Sequence, residues 1–306
     1  MLANGLSVII PGRNEMFFRK TVENVLENMR GDTEIIAICD GSWPDPPIDD
    51  HPRVHVIHFA EPVGQRAAVN IGAGLSRAKY IMKLDAHCAV DEGFDEKLMK
   101  HCDYETTVIP RMYNLHGFDW VCPDGHRRYQ SPPGPCLEPG CGKETVREII
   151  WKPRLARRTD FARFDKTPQF QYWGAYKDRP AAQGKDCDVM CSVGAAFFMH
   201  RKRFFDLGGM DEAHGSWGQF GLEVACKAWL SGGRHLVNKR TWFSHMFRTQ
   251  NEGFGFPYPI SHQAQERARQ HSRWLWIDGN WPKAVHPLSW LVEKFAPVPG
   301  WHDSPG

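Results

Sequence analysis

YIMKLDAH, residues 80–87, is an apolar run that closes on an acidic, imidazole-bearing tripeptide, and its reading decides the fold. Its length and bounded apolar character fit a buried strand, so Asp85 and His87 bring polar chemistry to a strand's carboxyl end. The segments upstream supply the context. GQRAAVNIGAGLSRA at 64–78 is a small-residue helix and VHVIHF at 54–59 a strand. EIIAICD at 34–40 is an apolar run that breaks at Gly41 and Ser42 before a Pro-rich loop over 44–52. Further back, Phe17, Val22, Val25, Leu26 and Met29 recur at helical spacing ahead of Gly31 as a stop, and LSVII at 6–10 is a buried strand turned by Pro11 and Gly12. Strands alternating with helices in this way predict an α/β fold with a mainly parallel central sheet, helices on both faces, and ligands gathered beyond the carboxyl ends of the strands. Asp40 and Asp85 both stand at such ends.

Downstream the character changes. Residues 113–145 carry Pro123, Pro132, Pro133, Pro135 and Pro139 with three cysteines, and are read as an irregular insertion over the active face, a lid or acceptor loop. SVGAAFFMHRKRFFDLGGMDE at 192–212 restores regular structure as a buried strand and a short helix ended by Gly208 and Gly209. A helix over about 220–230, ended by Gly232 and Gly233, follows. The predicted organisation is one catalytic domain over 1–250 and a wrapping C-terminal extension over 251–306, rich in aromatic residues and proline, whose last few residues fray.

At 306 residues the chain can bury a sizeable core, and 42% hydrophobic against 24% charged residues argues against wholesale disorder. Lys plus Arg total 38 and Asp plus Glu 36, so a polyanionic partner would have to be met by a local patch. The opening MLANGLSVIIPGRNE has no basic leader and a short apolar stretch, which predicts neither signal peptide nor membrane span. Nine scattered cysteines, with Cys39 in a buried strand, fit a reducing cytoplasm better than a disulfide framework. Twelve tryptophans exceed what a core needs, and flat aromatic surfaces suit sugar rings or bases, although most belong inside.

Asp85 and His87 are two apart on an extended chain, so their side chains point to one side and can reach a single cation. A hard carboxylate with an imidazole suits Mn2+, or Mg2+, whose task would be to neutralise a departing diphosphate; an exposed strand-end pair is the plain alternative.

With these motifs in view a resemblance emerges. PGRNE after the first strand, CDGS after the second, VGQRAAVNIGA and KLDAHC resemble the nucleotide-binding half of family 2 glycosyltransferases. DAHC is similar to the D-x-H of the polypeptide N-acetylgalactosaminyltransferases, family 27. SVGAAFFMHRKRFFDLGGMDE resembles their acceptor-side strand and helix, GSWGQFGLEVACKAWLSGG resembles W-G-G-E-N-x-E-x-x-x-x-x-W-x-x-G-G, and SHMFR resembles the late segment carrying a further metal-binding His. The resemblance runs over roughly residues 5–250, with the motifs in order, and implies a GT-A fold, a nucleotide sugar such as a UDP-sugar as donor, and Mn2+. It implies that Pro11, Arg13 and Glu15 line the base and ribose site and that Asp40 holds base or ribose. It implies that Arg66 and Asn70 face the nucleotide or its phosphates, that Asp85, His87 and His245 ligate the metal, and that Arg248 contacts diphosphate oxygens. Some have a plainer reading: a turn at Pro11 and Gly12, a helix-surface salt bridge for Arg66 and Asn70, a satisfied imidazole for His245.

One departure matters. Where the resembling enzymes carry Glu-Asp or Glu-Asn, this chain has Phe220 and Gly221, so the usual catalytic carboxylate is missing. Glu223, and less directly Asp211, are candidates for base or acceptor-hydroxyl orienter; for Glu223 a helix N-terminal carboxylate is the structural alternative. A retaining front-face reaction tolerates a missing base, which leaves the stereochemistry open. Cys122, His126, Cys136 and Cys141 form a C-x3-H-x9-C-x4-C arrangement able to hold Zn2+, or are unconnected thiols. Lys152, Arg154, Arg157, Arg158, Arg163 and Lys166, interleaved with Trp151, Phe161 and Phe164, either meet phosphates and stack bases or form a solvated face. A looser resemblance, to phage glycosyltransferases associated with TET/JBP dioxygenases, implies transfer to 5-hydroxymethylpyrimidines in DNA, in the host cytoplasm if the chain is phage-encoded. The competing expectations are a transferase to polysaccharide or lipid-linked glycan and an inactive binding module.

Overall fold

The computed structural model describes residues 4–215, 217–248 and 253–301. The N-terminal third follows the alternation read above: β1 (Leu6–Gly12), α1 (Phe18–Asn28), β2 (Thr33–Asp40), β3 (Val54–Phe59), α2 (Gln65–Leu75) and β4 (Tyr80–Leu84). β3, β2, β1 and β4 lie side by side, all parallel, with β1 buried along its whole length. A strand covered on both faces reads as a continuous apolar run, which is what LSVII supplies. α2 sits close on this sheet because Gly72 carries no side chain: a Cβ there would lie 2.6 Å from Ile9 Cγ2.

The chain then adds β5 (Cys88–Val90), α3 (Phe94–Met99), β6 (Thr106–Val121), β7 (Arg127–Tyr129), β8 (Val146–Thr159), β9 (Ala162–Phe164), β10 (Phe170–Tyr172), β11 (Asp186–Asp188), β12 (Ala196–His200) and α4 (Arg201–Asp206). It closes with α5 (Phe220–Leu230), β13 (Arg234–His245), α6 (His262–Ser272) and α7 (Leu288–Lys294). The sheet runs β11-β13-β6-β12-β4-β1-β2-β3. β12 enters antiparallel beside β4, and β13 is parallel to β6. The fold is therefore α/β with an all-parallel N-terminal half and a mixed second half.

Three expectations change. β4 ends at Leu84, leaving Asp85–His87 as a tight turn before β5. The insertion at 113–145 is less irregular than its prolines suggest: residues up to Val121 continue β6, which pairs antiparallel with β7 and, over a long stretch, with β8. None of its residues lines the main cleft. Leu275, Trp276, Leu291, Phe295 and Val298 of the C-terminal segment belong to the same apolar core as β1 and β4. The expected fraying of the last residues falls on 302–306, outside the described residues. Among those described, no helix is long and apolar enough to cross a membrane.

Candidate active site

A cavity of about 570 Å³ opens beyond the carboxyl ends of β1, β2 and β4. Pro11 near the end of β1, Arg13 after it, Asp40 ending β2, Gly64 before α2 and Asp85 after β4 line one side. Trp217 to Leu222, Phe256, Tyr258 and Arg269 close it from the second half and the C-terminal segment.

On its floor three side chains converge. Asp85 Oδ2 lies 3.3 Å from His245 Nε2 and 3.9 Å from His87 Nε2, and the two Nε2 atoms are 3.0 Å apart. His245 reaches this point from far along the sequence because β13 pairs antiparallel with β5, setting His245 opposite Cys88, while the Met246 N–H donates to the His87 carbonyl at 3.1 Å. Two imidazole nitrogens and a carboxylate oxygen aimed at one point leave adjacent lone pairs that a cation satisfies together. Neighbouring ligands of a six-coordinate divalent ion lie about 3 Å apart, so the spacing and the donor set fit Mn2+ or Mg2+.

The surroundings hold these groups ready. Burial acts to raise the Asp85 pKa, but Lys83 and both imidazoles outweigh it and hold the carboxyl well below its ordinary range. Burial pushes His245 down to about 4 against the pull of Asp85, so its ring is neutral near pH 7, as a metal ligand must be. Phe254 and Phe247 pack against the rings of His87 and His245. Glu15, expected at base and ribose, instead accepts from His87 Nδ1 at 3.2 Å and from Arg248 Nη2, which fixes the His87 tautomer with Nε2 toward the cluster. Burial would raise the Glu15 pKa, yet His87 and Arg248 hold it low. Arg248 donates also to the Gly255 carbonyl and stacks on Phe254, placing its guanidinium at the cleft.

Two contributors escaped the sequence reading. Lys83, 1% exposed, pairs with Asp85 Oδ1 and donates to the Gly194 carbonyl at 2.8 Å; Gln65 donates to the same Asp85 oxygen at 3.0 Å. Together they leave Oδ2 for the imidazoles. Strand alternation already put Lys83 on the side of Asp85 and His87, a signal that was there to use.

Pro11, Arg13 and Asp40 line the cleft, with Arg13 over the Tyr258 ring. Both Asp40 oxygens are engaged by the backbone, accepting from Val63 N–H at 2.6 Å and Gly64 N–H at 3.1 Å, so this carboxylate shapes the loop before α2. Four candidates lie elsewhere. Arg66 is 2% exposed, donating to Glu223 at 2.8 Å and to the Gly215 and Gly218 carbonyls, so it faces no phosphate. Glu223 is fully buried between Arg66 and Lys227, and although burial works to raise its pKa, Lys227 and Arg66 keep it ionised. It is a buried ion-pair centre and not an accessible base. Asn70 staples α2 to the loop at Met210, giving and taking hydrogen bonds at 2.9 and 2.7 Å. Asp211 caps a helical turn at Ala213 and accepts from His271 at 2.7 Å, off the cleft.

The missing base has a physical cause. A Cβ on Gly221 would lie 1.9 Å from the Ser192 carbonyl oxygen, so no side chain fits there. The Phe220 ring is covered by Lys83 at 4.7 Å and Arg66 at 5.4 Å, an apolar residue held by cation–π contacts at the position read from sequence as lacking the usual carboxylate. In the basic stretch Trp151, Phe161 and Phe164 are buried, so they stack no bases, although Lys152, Arg157 and Arg158 are exposed.

A sheet with a cleft of this size and a carboxylate–imidazole cluster beyond its strand ends has the layout of an α/β ligand site, and the likeness to solved structures given below makes the fold GT-A. The sequence profile of glycosyl transferase family 2 matches residues 7–178, and the chain belongs to that family. Among relatives, it is 23% identical over 301 residues to the putative polypeptide N-acetylgalactosaminyltransferase 13 of Drosophila melanogaster, covering 90% of this chain and 49% of that protein. It is 25% identical over 288 residues to polypeptide N-acetylgalactosaminyltransferase 6 of Bos taurus, covering 89% and 42%. The chain thus spans about half the length, or less, of these relatives. The crystal structure of GalNAc-T7 with UDP, GalNAc and Mn2+ superposes with a TM-score of 0.65 at 17% identity, over 95% of this chain and 56% of that one, a likeness of fold.

Proposed function

We propose that the chain transfers a sugar from a UDP-sugar to an acceptor hydroxyl, with Mn2+ held by Asp85, His87 and His245. The observation that carries this is the convergence of those three side chains at the floor of the strand-end cleft. The ion there supplies Lewis-acid stabilisation of the diphosphate leaving group. Arg248, fixed by Glu15, offers a guanidinium to the phosphate oxygens, and Pro11, Arg13 and Gly64 wall the nucleoside. The GalNAc-T7 structure, which contains UDP and Mn2+, supports the choice of donor and ion.

The carboxylates lining the cleft among the described residues, Glu15, Asp40 and Asp85, are all engaged, and Phe220 and Gly221 hold no base. This favours retention. The bond from the sugar's anomeric carbon to phosphate oxygen breaks with its electron pair going to the diphosphate. The acceptor oxygen bonds to the same face, and its proton passes to the leaving phosphate. The acceptor we assign first is the hydroxyl of a 5-hydroxymethylpyrimidine in DNA, supported by exposed Lys152, Arg157 and Arg158; the names of the relatives favour a peptide hydroxyl as second. Nine free thiols support a reducing, cytoplasmic setting.

Incubation with Mn2+ and a panel of UDP-sugars, offering hydroxymethylated DNA, plain DNA or Ser/Thr peptides, tests this by mass spectrometry and product NMR. An ion-dependent hexose-sized gain with the donor's own anomeric configuration is expected. Inverted product would overturn the front-face reading, and failure to consume any UDP-sugar would overturn the donor.

A further inference from the structure

At the far end of β6 the turn Cys122-Pro-Asp-Gly-His126 presents a thiol and an imidazole to two thiols on the following loop. Cys122 Sγ and Cys136 Sγ each lie 3.5 Å from His126 Nδ1, and Cys141 Sγ lies 3.8 Å from Cys122 Sγ. All four ligand atoms fall within 4.8 Å of one another. A tetrahedron with Zn–S of about 2.3 Å and Zn–N of about 2.05 Å has S···S edges of about 3.8 Å and S···N edges of about 3.5 Å. The separations here match both edge types, whereas a disulfide needs its sulfurs at about 2.05 Å and leaves one thiol of the three over.

Apart from these four side chains the loop is held by polar contacts at its surface, among them Lys143 with Asp124, Thr145 with the Gly134 carbonyl and Arg128 with the Gly134 carbonyl. Of residues 122–145 only Cys122 and Cys136 are buried, while Leu137 is 73% exposed, so the side chains taken fully from water are two of the four donors. Apolar burial cannot order such a segment, and four convergent soft donors do so only when an ion joins them. The backbone is shaped to the same end: Gly125 N–H donates to the Cys122 carbonyl at 2.9 Å, Cys122 N–H to the His126 carbonyl at 3.2 Å and Cys136 N–H to the Lys143 carbonyl at 2.8 Å. Thiolate and imidazole donors in fourfold, closed geometry select Zn2+ and leave no position for substrate.

We propose that Cys122, His126, Cys136 and Cys141 hold a structural Zn2+, separate from the strand-end site, that pins the β7–β8 loop to the tip of β6. Metal analysis of the purified full chain, after dialysis against a weak chelator, is expected to find about one zinc per chain, released when a mercurial blocks the thiols. The Cys136→Ser/Cys141→Ser double variant is expected to lose that zinc, and Asp85→Ala/His245→Ala to keep it. Should the cysteine variant fail to fold, Co2+ substituted into the wild-type chain gives the readout: intense visible bands and thiolate charge transfer of a tetrahedral site. Absence of zinc from the wild type, zinc that follows Asp85 and His245 instead of the cysteines, an octahedral cobalt spectrum, or a disulfide among these thiols overturns the proposal.

Discussion

Asp85, His87 and His245 stand on strand ends whose neighbours Leu84, Cys88 and Met246 are fully buried, whereas Cys122, His126, Cys136 and Cys141 stand on a turn and a loop that bury almost nothing but sulfur. The first cluster is positioned by the core and by Lys83, Gln65 and Glu15, so its ligands are in place whether or not an ion is present. The second is held only by polar contacts at the surface, such as Lys143–Asp124 and Thr145–Gly134, so on our proposal its ion does the work of a core. An ion at the first site would be free to exchange and to take part in chemistry. At the second, binding and local folding would be one event.

The contrast can be broken by variants, the largest effect falling on the strand-end cluster. Asp85→Ala is expected to lower turnover by about 10³-fold or more, the loss of leaving-group stabilisation, and to cost stability as well because buried Lys83 loses its partner. His245→Gln separates the two: turnover falls comparably while the melting temperature holds. Undiminished turnover in either variant removes the metal from the account.

Glu223→Gln should behave in the opposite sense. Removing one charge from the buried group Arg66–Glu223–Lys227 is expected to cost about 3–5 kcal/mol of stability, with turnover per folded molecule changed only a few-fold. A large loss of kcat at unchanged melting temperature, with a lost limb in the pH profile, would return Glu223 to the role of base.

At the loop, Cys136→Ser or zinc removal is expected to speed proteolysis between 130 and 145 by roughly tenfold, while the main melting transition moves little. Because Gly253 N–H donates to the Gln130 carbonyl at 3.2 Å, the same change should raise the donor KM a few-fold with kcat unaltered, through the segment bearing Phe256 and Tyr258. Loss of kcat instead would mean that the two sites are not separate.

A further effect is expected on acid stability. Burial pushes His235 down to about 3 and His214 to about 4 from an ordinary 6.5, and neither ring nitrogen of His235 has a partner among the described residues. Between those values the unfolded chain binds protons that the folded chain refuses, so stability is lost as pH falls through about 6.5 and this loss levels off near the folded values. His235→Leu should flatten that slope by about 1–3 kcal/mol in chemical denaturation. A slope unchanged by the substitution would show that His235 titrates normally.

How much of this was legible follows from what each residue answers to. The parallel half was readable because continuous apolar runs, glycine stops and small-residue helices are local consequences of burial on two faces, and Asp85 and His87 declare themselves by closing an apolar run, although the turn they form was read as strand. Arg66, Asn70 and Glu223 misled because a charged residue next to a nucleotide motif has the same appearance in sequence as one neutralised inside the core, and only the fold shows that Glu223 meets Arg66 across 157 positions. Trp151, Phe161 and Phe164 misled likewise, since arginines between aromatic residues fit a half-buried strand as well as a nucleic-acid surface. The β6–β8 arm was missed because prolines and cysteines masked a long antiparallel pairing.

Calorimetric titration of UDP into the full chain, with Mn2+ and then with a chelator, bears most directly on the strand-end ion. Binding is expected only with Mn2+ present, weakened about 100-fold or more, roughly 2.7 kcal/mol, in the His245→Ala variant. Equal UDP affinity without the ion, or in that variant, would contradict the account.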